Sequence, residues 1–483
     1  MTKLQADKHT EHFSESTGKG RGDKRVSFPP DEEIVSGFAE YKDTQNADGC
    51  LTVADISSAY EQSCVKHQVE PNLKALEQIK LVATVGTRAG CLDLRGERLD
   101  YSSCESLEEI LKSVPFDSIN LQETELEENG ASSLLEMILY YESACQLNVS
   151  SNLRMGPAGW SALSRLTRQS SCLWRLDACN MPMVEYPAQA LSKALLASRL
   201  TVLHLENASL SGRPLFTLVG ALKKNAVLQE LCLASNDLNS YQDSMQLGEL
   251  LKNNRSLRSL DLSNNLIADE GLEEICDGLK YQQSGLRSLV LFNNQITHAG
   301  MVPMANVLPH LRTLENLKLD QNKLQNEGIH ILKEAFMRNR SILQLGLADT
   351  QITCEGAVAL AEFIAESPQI RRLDVRRNHI LCGGLMAVSL ALRINASLIA
   401  LDLDLTTKPE KEEFLIETQQ RLLHGISDLC AKKNEMEKEK AKEKEKEAEM
   451  EKEKAKEKKK EKEAEMEKET QSQTHWQWPE RQA

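Results

Sequence analysis

Apolar positions recur along most of this chain at a long and regular interval. A degenerate pattern, Leu-x-x-Leu-x-Leu-x-x-Asn-x-Leu, returns over residues 89–408. Its third apolar position falls at Leu94, Leu121, Val149, Ala178, Leu205, Leu233, Leu262, Leu291, Leu319, Leu347, Val375 and Leu403, at intervals of 27 to 29 residues. Two representative units are Leu257-Arg-Ser-Leu260-Asp-Leu262-Ser-Asn-Asn265 and Leu314-Glu-Asn-Leu317-Lys-Leu319-Asp-Gln-Asn322. The alternation at the start of each unit predicts a short strand, and a period this long leaves room for a helix after it.

Twelve such units are twelve leucine-rich repeats, which predicts an α/β fold: a leucine-rich-repeat solenoid, or horseshoe, with helical caps and disordered or frayed-helical tails. The repeat explains its own polar residues. Asn152, Asn236, Asn265, Asn294, Asn322 and Asn378 fall three positions after the marked residue, where a buried amide can bond backbone groups of adjacent turns. Gly130, Gly271, Gly300, Gly328, Gly356 and Gly384 fall nine positions after it, where each outer helix begins.

The ends of a solenoid need covering, because a terminal repeat otherwise exposes an apolar face. Over 41–88, Thr52-Val-Ala-Asp55 reads as an N-cap ahead of Ile56, Tyr60 and Cys64 at helical spacing, and Pro71 precedes a second short helix with Leu73, Leu76, Ile79 and Leu81. Over 409–430, Phe414, Leu415, Leu422, Ile426 and Leu429 form one helical stripe after Pro409. Residues 1–40 form a polar segment with no core of its own, expected to be disordered, and 431–483 a low-complexity tail. Its 431–468 stretch holds 15 Lys and 14 Glu, which predicts a fraying helix.

Charge sorts the partner classes. The whole chain carries −14, of which residues 31–430 carry −16, and an acidic body repels the phosphates of a nucleic acid. Arg371, Arg372, Arg376 and Arg377 are a local exception that could meet an acidic protein. No stretch of 18 apolar residues suits a membrane and the N-terminus lacks an apolar signal run, so an intracellular chain, cytoplasmic and/or nuclear, is expected. In that setting Arg21-Gly22-Asp23 is no adhesion signal, and Asn207-Ala-Ser209 and Asn395-Ala-Ser397 are no glycan acceptors. The 12 cysteines are dispersed, and Cys232 and Cys276 read as small apolar residues. No metal-ligand spacing, phosphate-binding loop or nucleophile motif occurs, so neither an enzyme nor a cofactor is expected.

One short run outside the repeats carries partner chemistry. In Lys24-Arg25-Val26-Ser27-Phe28, Val26 and Phe28 share one face of an extended strand behind a basic lead-in, and Pro29-Pro30 ends the pairing. This run resembles the docking motif of protein phosphatase 1 regulators, in which basic residues precede Val or Ile, any residue, then Phe or Trp. The resemblance implies that Val26 and Phe28 fill two hydrophobic pockets of the catalytic subunit, remote from its metals, with Lys24 and Arg25 facing acidic surface. Ile34 and Val35 match a second aliphatic pair that many such regulators carry. A further arginine found in some is missing, since no Arg occurs between Val35 and Arg88. Ser27, at the free position after two basic residues, is a candidate phosphorylation switch.

The repeat length is similar to the ribonuclease-inhibitor and Ran GTPase-activating types. Together with the docking run, the segments His204-Leu-Glu-Asn-Ala-Ser-Leu-Ser-Gly-Arg-Pro214 and Cys354-Glu-Gly-Ala-Val358 resemble the leucine-rich-repeat regulators of protein phosphatase 1. That resemblance implies a noncatalytic, inhibitory regulatory subunit whose partner is the phosphatase 1 catalytic subunit, with the repeats as a second protein-binding surface. The alternatives are a Ran-type GTPase activator or a general scaffold with no phosphatase contact. A scaffold would use exposed strand positions such as Trp174, Asp261, Phe292 or Lys318.

Overall fold

The computed structural model describes residues 52–82, 87–404 and 412–473. Two helices come first, α1 (Val53–His67) and α2 (Leu73–Lys80). The first three repeats place β1 (Ala89–Asp93), α3 (Tyr101–Ser106), α4 (Glu108–Ser113), β2 (Phe116–Asn120), α5 (Glu128–Tyr140), β3 (Ala144–Asn148) and α6 (Gly156–Gln169). The middle of the array has β4 (Arg175–Asp177), α7 (Tyr186–Leu195), β5 (Val202–His204), α8 (Arg213–Leu222), β6 (Glu230–Cys232), α9 (Tyr241–Asn253), β7 (Ser259–Asp261) and α10 (Ala268–Leu279). It continues through β8 (Ser288–Val290), α11 (Met301–Val307), β9 (Asn316–Lys318), α12 (Gln325–Arg338), β10 (Gln344–Gly346), α13 (Cys354–Glu366), β11 (Arg372–Asp374), α14 (Cys382–Ile394) and β12 (Ala400–Asp402), ending in α15 (Glu413–Gln473).

All twelve strands lie in one parallel sheet in sequence order, so the period of 27 to 29 residues is the distance from a residue to its neighbour on the next strand. Leu260, for example, pairs in register with Leu231 and Leu289. In the three-residue strands from β4 to β11 the central Leu points at the helices and is buried, while its two neighbours face away from them; Leu401 of β12 is half-buried. One core runs the length of the array. This is the α/β leucine-rich-repeat solenoid that the spacing requires.

The repeat asparagines do the work expected of them. Asn265 is fully buried; its Nδ2 donates to the carbonyls of Leu233, Leu262 and Ser263, and its Oδ1 accepts from the Asn236 backbone at 2.8 Å. Asn265 N in turn donates to Asn294 Oδ1, and Asn294 N to Asn322 Oδ1, so the amides form a ladder across repeats. Where Asn is replaced by Thr124 or Thr350, the hydroxyl bonds the equivalent carbonyl, Leu121 O or Leu347 O. The recurrent glycines answer a different need. A Cβ on Gly271 would fall 2.5 Å from Ser244 Oγ on the preceding helix, so Gly271 is set by close helix approach rather than by its backbone angles.

Thr52 and Asp55 close a reciprocal capping box at the start of α1, whose Ile56, Tyr60 and Cys64 are buried. At the other end, Leu423, Ile426 and Cys430 of α15 are buried against the last repeat. The change of composition at 431 is not a change of backbone, because α15 runs on to Gln473. Nor does it end the contacts: Lys433 Nζ donates to Leu392 O at 2.7 Å and Asn395 O at 2.6 Å, at the C-terminal end of α14, and Glu437 pairs with Arg371. A cation there complements the helix dipole and satisfies carbonyls that the helix leaves unbonded. Burial pushes the Lys433 ammonium pKa down.

Candidate functional site

Lys24, Arg25, Val26, Ser27, Phe28, Ile34 and Val35 lie outside the described residues. What the structure supplies is the helix-free face of the sheet, built from the two outward residues of each strand and the residues just after it. Trp174, immediately before β4, is exposed, as is Lys318 on β9, while Asp261 on β7 and Phe292 just after β8 are half-buried.

Two charge clusters stand on this face. On β4–β6, His204 bridges two strands: Nδ1 lies 2.9 Å from Asp177 Oδ1 and Nε2 lies 2.9 Å from Glu230 Oε1, and Arg175 Nε donates to Asp177 Oδ2 at 3.0 Å. The Asp177 carboxylate, together with Glu230, raises the His204 pKa above its ordinary 6.5, against the opposing effect of burial. The stability from this bridge is present in full below about pH 6.5, where the unfolded chain is also protonated, and is lost as pH rises through the higher folded value. Urea midpoints of the full chain are therefore expected to fall more steeply above pH 6.5 than those of His204→Gln; identical slopes would contradict the assignment.

The second cluster contains the four arginines, and the structure corrects the expectation of a free basic patch. Arg372 pairs with Asp402 at 2.8 Å, Arg376 with Asp374 at 2.5 Å, and Arg371 with Glu437. Only the Arg377 side chain has no carboxylate partner among the described residues; its backbone N donates to Asp404. Arg372 and Asp402 lie diagonally on neighbouring strands, Arg372 being in register with Ala400 and Asp402 with Asp374.

Beside these pairs the open face is hollow. Gly346 stands between Lys318 and Asp374 in one row of the sheet, and Ala348 between Asp320 and Arg376 in the next. Two successive outward positions of this repeat thus carry almost no side chain, while their neighbours carry long ones. The result is a depression of about 790 Å³ with Leu345, Gly346 and Ala348 on its floor and Val290, Phe292 and Lys318 along one side. Asp320 lines it while only 8% exposed. Its Oδ1 accepts from Ala348 N at 2.8 Å and its Oδ2 has no hydrogen-bond partner among the described residues. Burial, with Asp374 nearby, raises the Asp320 pKa against the opposing effects of the Ala348 amide and Lys318.

Reactive chemistry is not assembled here. Burial pushes the Cys232 and Cys276 thiols up to about 12, so neither is a thiolate at neutral pH. Among the described residues no group of three His, Cys, Asp or Glu side chains could hold a metal ion, and no helix is long and apolar enough to cross a membrane.

The family described as Leucine Rich repeat matches residues 253–276, which span the end of α9, β7 and most of α10. A mouse ribonuclease inhibitor is 28% identical over 267 residues, 48% of this chain and 58% of its own length. The fold is that of a leucine-rich-repeat solenoid. The chain is also similar to proteins named protein phosphatase 1 regulatory subunit 37: that of Bos taurus is 48% identical over 293 residues, 60% of this chain and 42% of its own. The homolog named for Caenorhabditis elegans is 36% identical over 301 residues, 59% of this chain and 32% of its own. The leucine-rich-repeat chain thus spans less than half the length of these relatives.

Sequence reasoning missed the second set of buried amides in the repeats. Asn225, Asn254, Asn339 and Asn395 close the outer helices and donate back to the preceding repeat, as Asn254 does to Leu222 O at 2.7 Å. Their signal was the recurring Asn-x-Ser/Val-Leu/Ile ahead of β6, β7, β10 and β12. Asn395, set aside above as a glycan acceptor, is buried with its amide bonded to Ile364 O and Ser367 O.

Proposed function

We propose that this chain is a noncatalytic regulatory subunit of protein phosphatase 1. Lys24-Arg25-Val26-Ser27-Phe28 docks the catalytic subunit, Ile34 and Val35 add an apolar contact, and the leucine-rich repeats are a second protein-binding surface. The observation that carries this reading is a complete docking run in a chain that is 48% identical over 293 residues to a protein named as a phosphatase 1 regulatory subunit. Docking through Val26 and Phe28 alone leaves the active site open, so inhibition requires the acidic repeat body to cover part of the substrate route. Two sites on one chain raise the effective concentration of the second contact.

The test is to titrate the full chain into purified catalytic subunit acting on a phosphoprotein. Activity falls saturably with wild type and not with Val26→Ala/Phe28→Ala; activity unchanged by wild type at saturating binding rules out inhibition. Ser27 sets a further expectation. A phosphate adds roughly −1.5 to −2 charge between the two apolar anchors, beside an acidic surface, and opposes docking. A Ser27→Asp chain is expected to bind the catalytic subunit at least about tenfold more weakly, about 1.4 kcal/mol, and equal affinity would exclude the switch.

A further inference from the structure

The hollow over Gly346 and Ala348 is not explained by the solenoid, because a longer side chain at Ala348 would cover the floor without disturbing the strand pairing. Its electrostatics are also unfinished. The ion pairs Arg376 with Asp374 and Arg372 with Asp402 cancel within themselves. What remains around the hollow is Asp261, Asp320, Asp349 and Asp404 against Lys318 and Arg377, an excess of two negative charges. The buried member of this set, Asp320, keeps one carboxylate oxygen without a hydrogen bond, and that oxygen lies against Gly346, where an added Cβ would collide with it. A buried carboxylate with a free lone pair and a carboxylate neighbour gains most from a cation that brings its own donors. The wall on the same side as Asp320, Val290 and Phe292, is apolar and suits the methylene stem of a long basic side chain and the face of a planar cation.

We propose that this hollow receives an arginine side chain from a protein bound on the open face of the sheet, with its guanidinium over Ala348 donating to Asp320. Glycine at 346 makes room for the Asp320 carboxylate to lie at the edge of the hollow, and the small Ala348 leaves the floor open for the guanidinium. The paired arginines at the edge act as a selectivity rim, since they occupy the carboxylates of β11 and β12 and leave Asp320 as the open acceptor. This inference rests on the reading of the repeats as a protein-binding surface and not on the phosphatase.

The experiment uses the full chain and hexa-arginine as the probe, followed by titration calorimetry, with hexa-glutamate as the opposite-charge control. Asp320→Asn keeps the Ala348 hydrogen bond and removes the charge, and Ala348→Trp fills the hollow while leaving Asp320 intact. Each is expected to weaken the tightest hexa-arginine site at least tenfold, with hexa-glutamate not binding. Folded variants that bind hexa-arginine as wild type does would overturn the proposal, as would hexa-glutamate binding that Ala348→Trp abolishes. Should Asp320→Asn not fold, Ala348→Trp decides the matter alone. Because residues 24–28 and the phosphatase take no part in this titration, a failure here leaves the docking reading standing, and the reverse.

Discussion

Asn265→Ala is expected to destabilise the repeat array by about 3–5 kcal/mol, a loss at the upper end for a single polar substitution. The side chain is fully buried and makes five hydrogen bonds, three as donor to carbonyls of two repeats and two as acceptor from the backbones of Asn236 and Leu238. Alanine removes them all and leaves backbone groups in a dry core, at roughly 1–3 kcal/mol for each group that finds no new partner. The loss is local, since each repeat touches only its neighbours. Hydrogen exchange is therefore expected to show the Asn236 and Leu238 amides deprotected while repeats near β2 keep their protection. Asn265→Thr should cost less, because Thr350 and Thr124 already occupy the equivalent position and bond the same carbonyl. An alanine variant within about 0.5 kcal/mol of wild type would show that the amide ladder adds little to stability.

The strands were legible because their spacing is strict and the same residue types return at each turn. Leu260 and Leu289, 29 residues apart, had to be neighbours once the period was recognised, and they pair in register. Contacts between repeats followed the same arithmetic but were not read from it. Arg372 stands one period from Ala400 and two positions short of Asp402, so laying the repeats over one another would have shown this arginine diagonal to an aspartate. The hollow was harder to see, because it arises from what Gly346 and Ala348 lack. A missing side chain has no periodic signature, and its importance depends on Lys318, Phe292 and Arg376 standing up around it. A helix over 431–468 was legible in composition, but its continuity with the cap helix was not. The change at 431 suggested a boundary, yet glutamate and lysine both favour helix, and Lys433 and Glu437 reach back to α14 and Arg371.

The second large effect concerns the docking run. Val26 and Phe28 each contribute roughly 1.5–3 kcal/mol when buried in apolar pockets, and truncating both to alanine removes most of that area while leaving the basic residues in place. The double substitution changes none of the repeat units, which begin at residue 89. Binding should therefore weaken without any change in the melting of the array. A Lys24→Ala/Arg25→Ala chain, by contrast, should lose affinity mainly at low salt, because exposed charge pairs are screened.

Calorimetric binding of purified phosphatase 1 catalytic subunit to the full chain and to Val26→Ala/Phe28→Ala decides whether this protein is a phosphatase regulator anchored by residues 24–28. Wild type is expected to form a saturable one-to-one complex, and the double variant to lose at least about 2 kcal/mol, roughly thirtyfold in Kd. Equal affinity of the two chains, or no binding by either, would contradict that role.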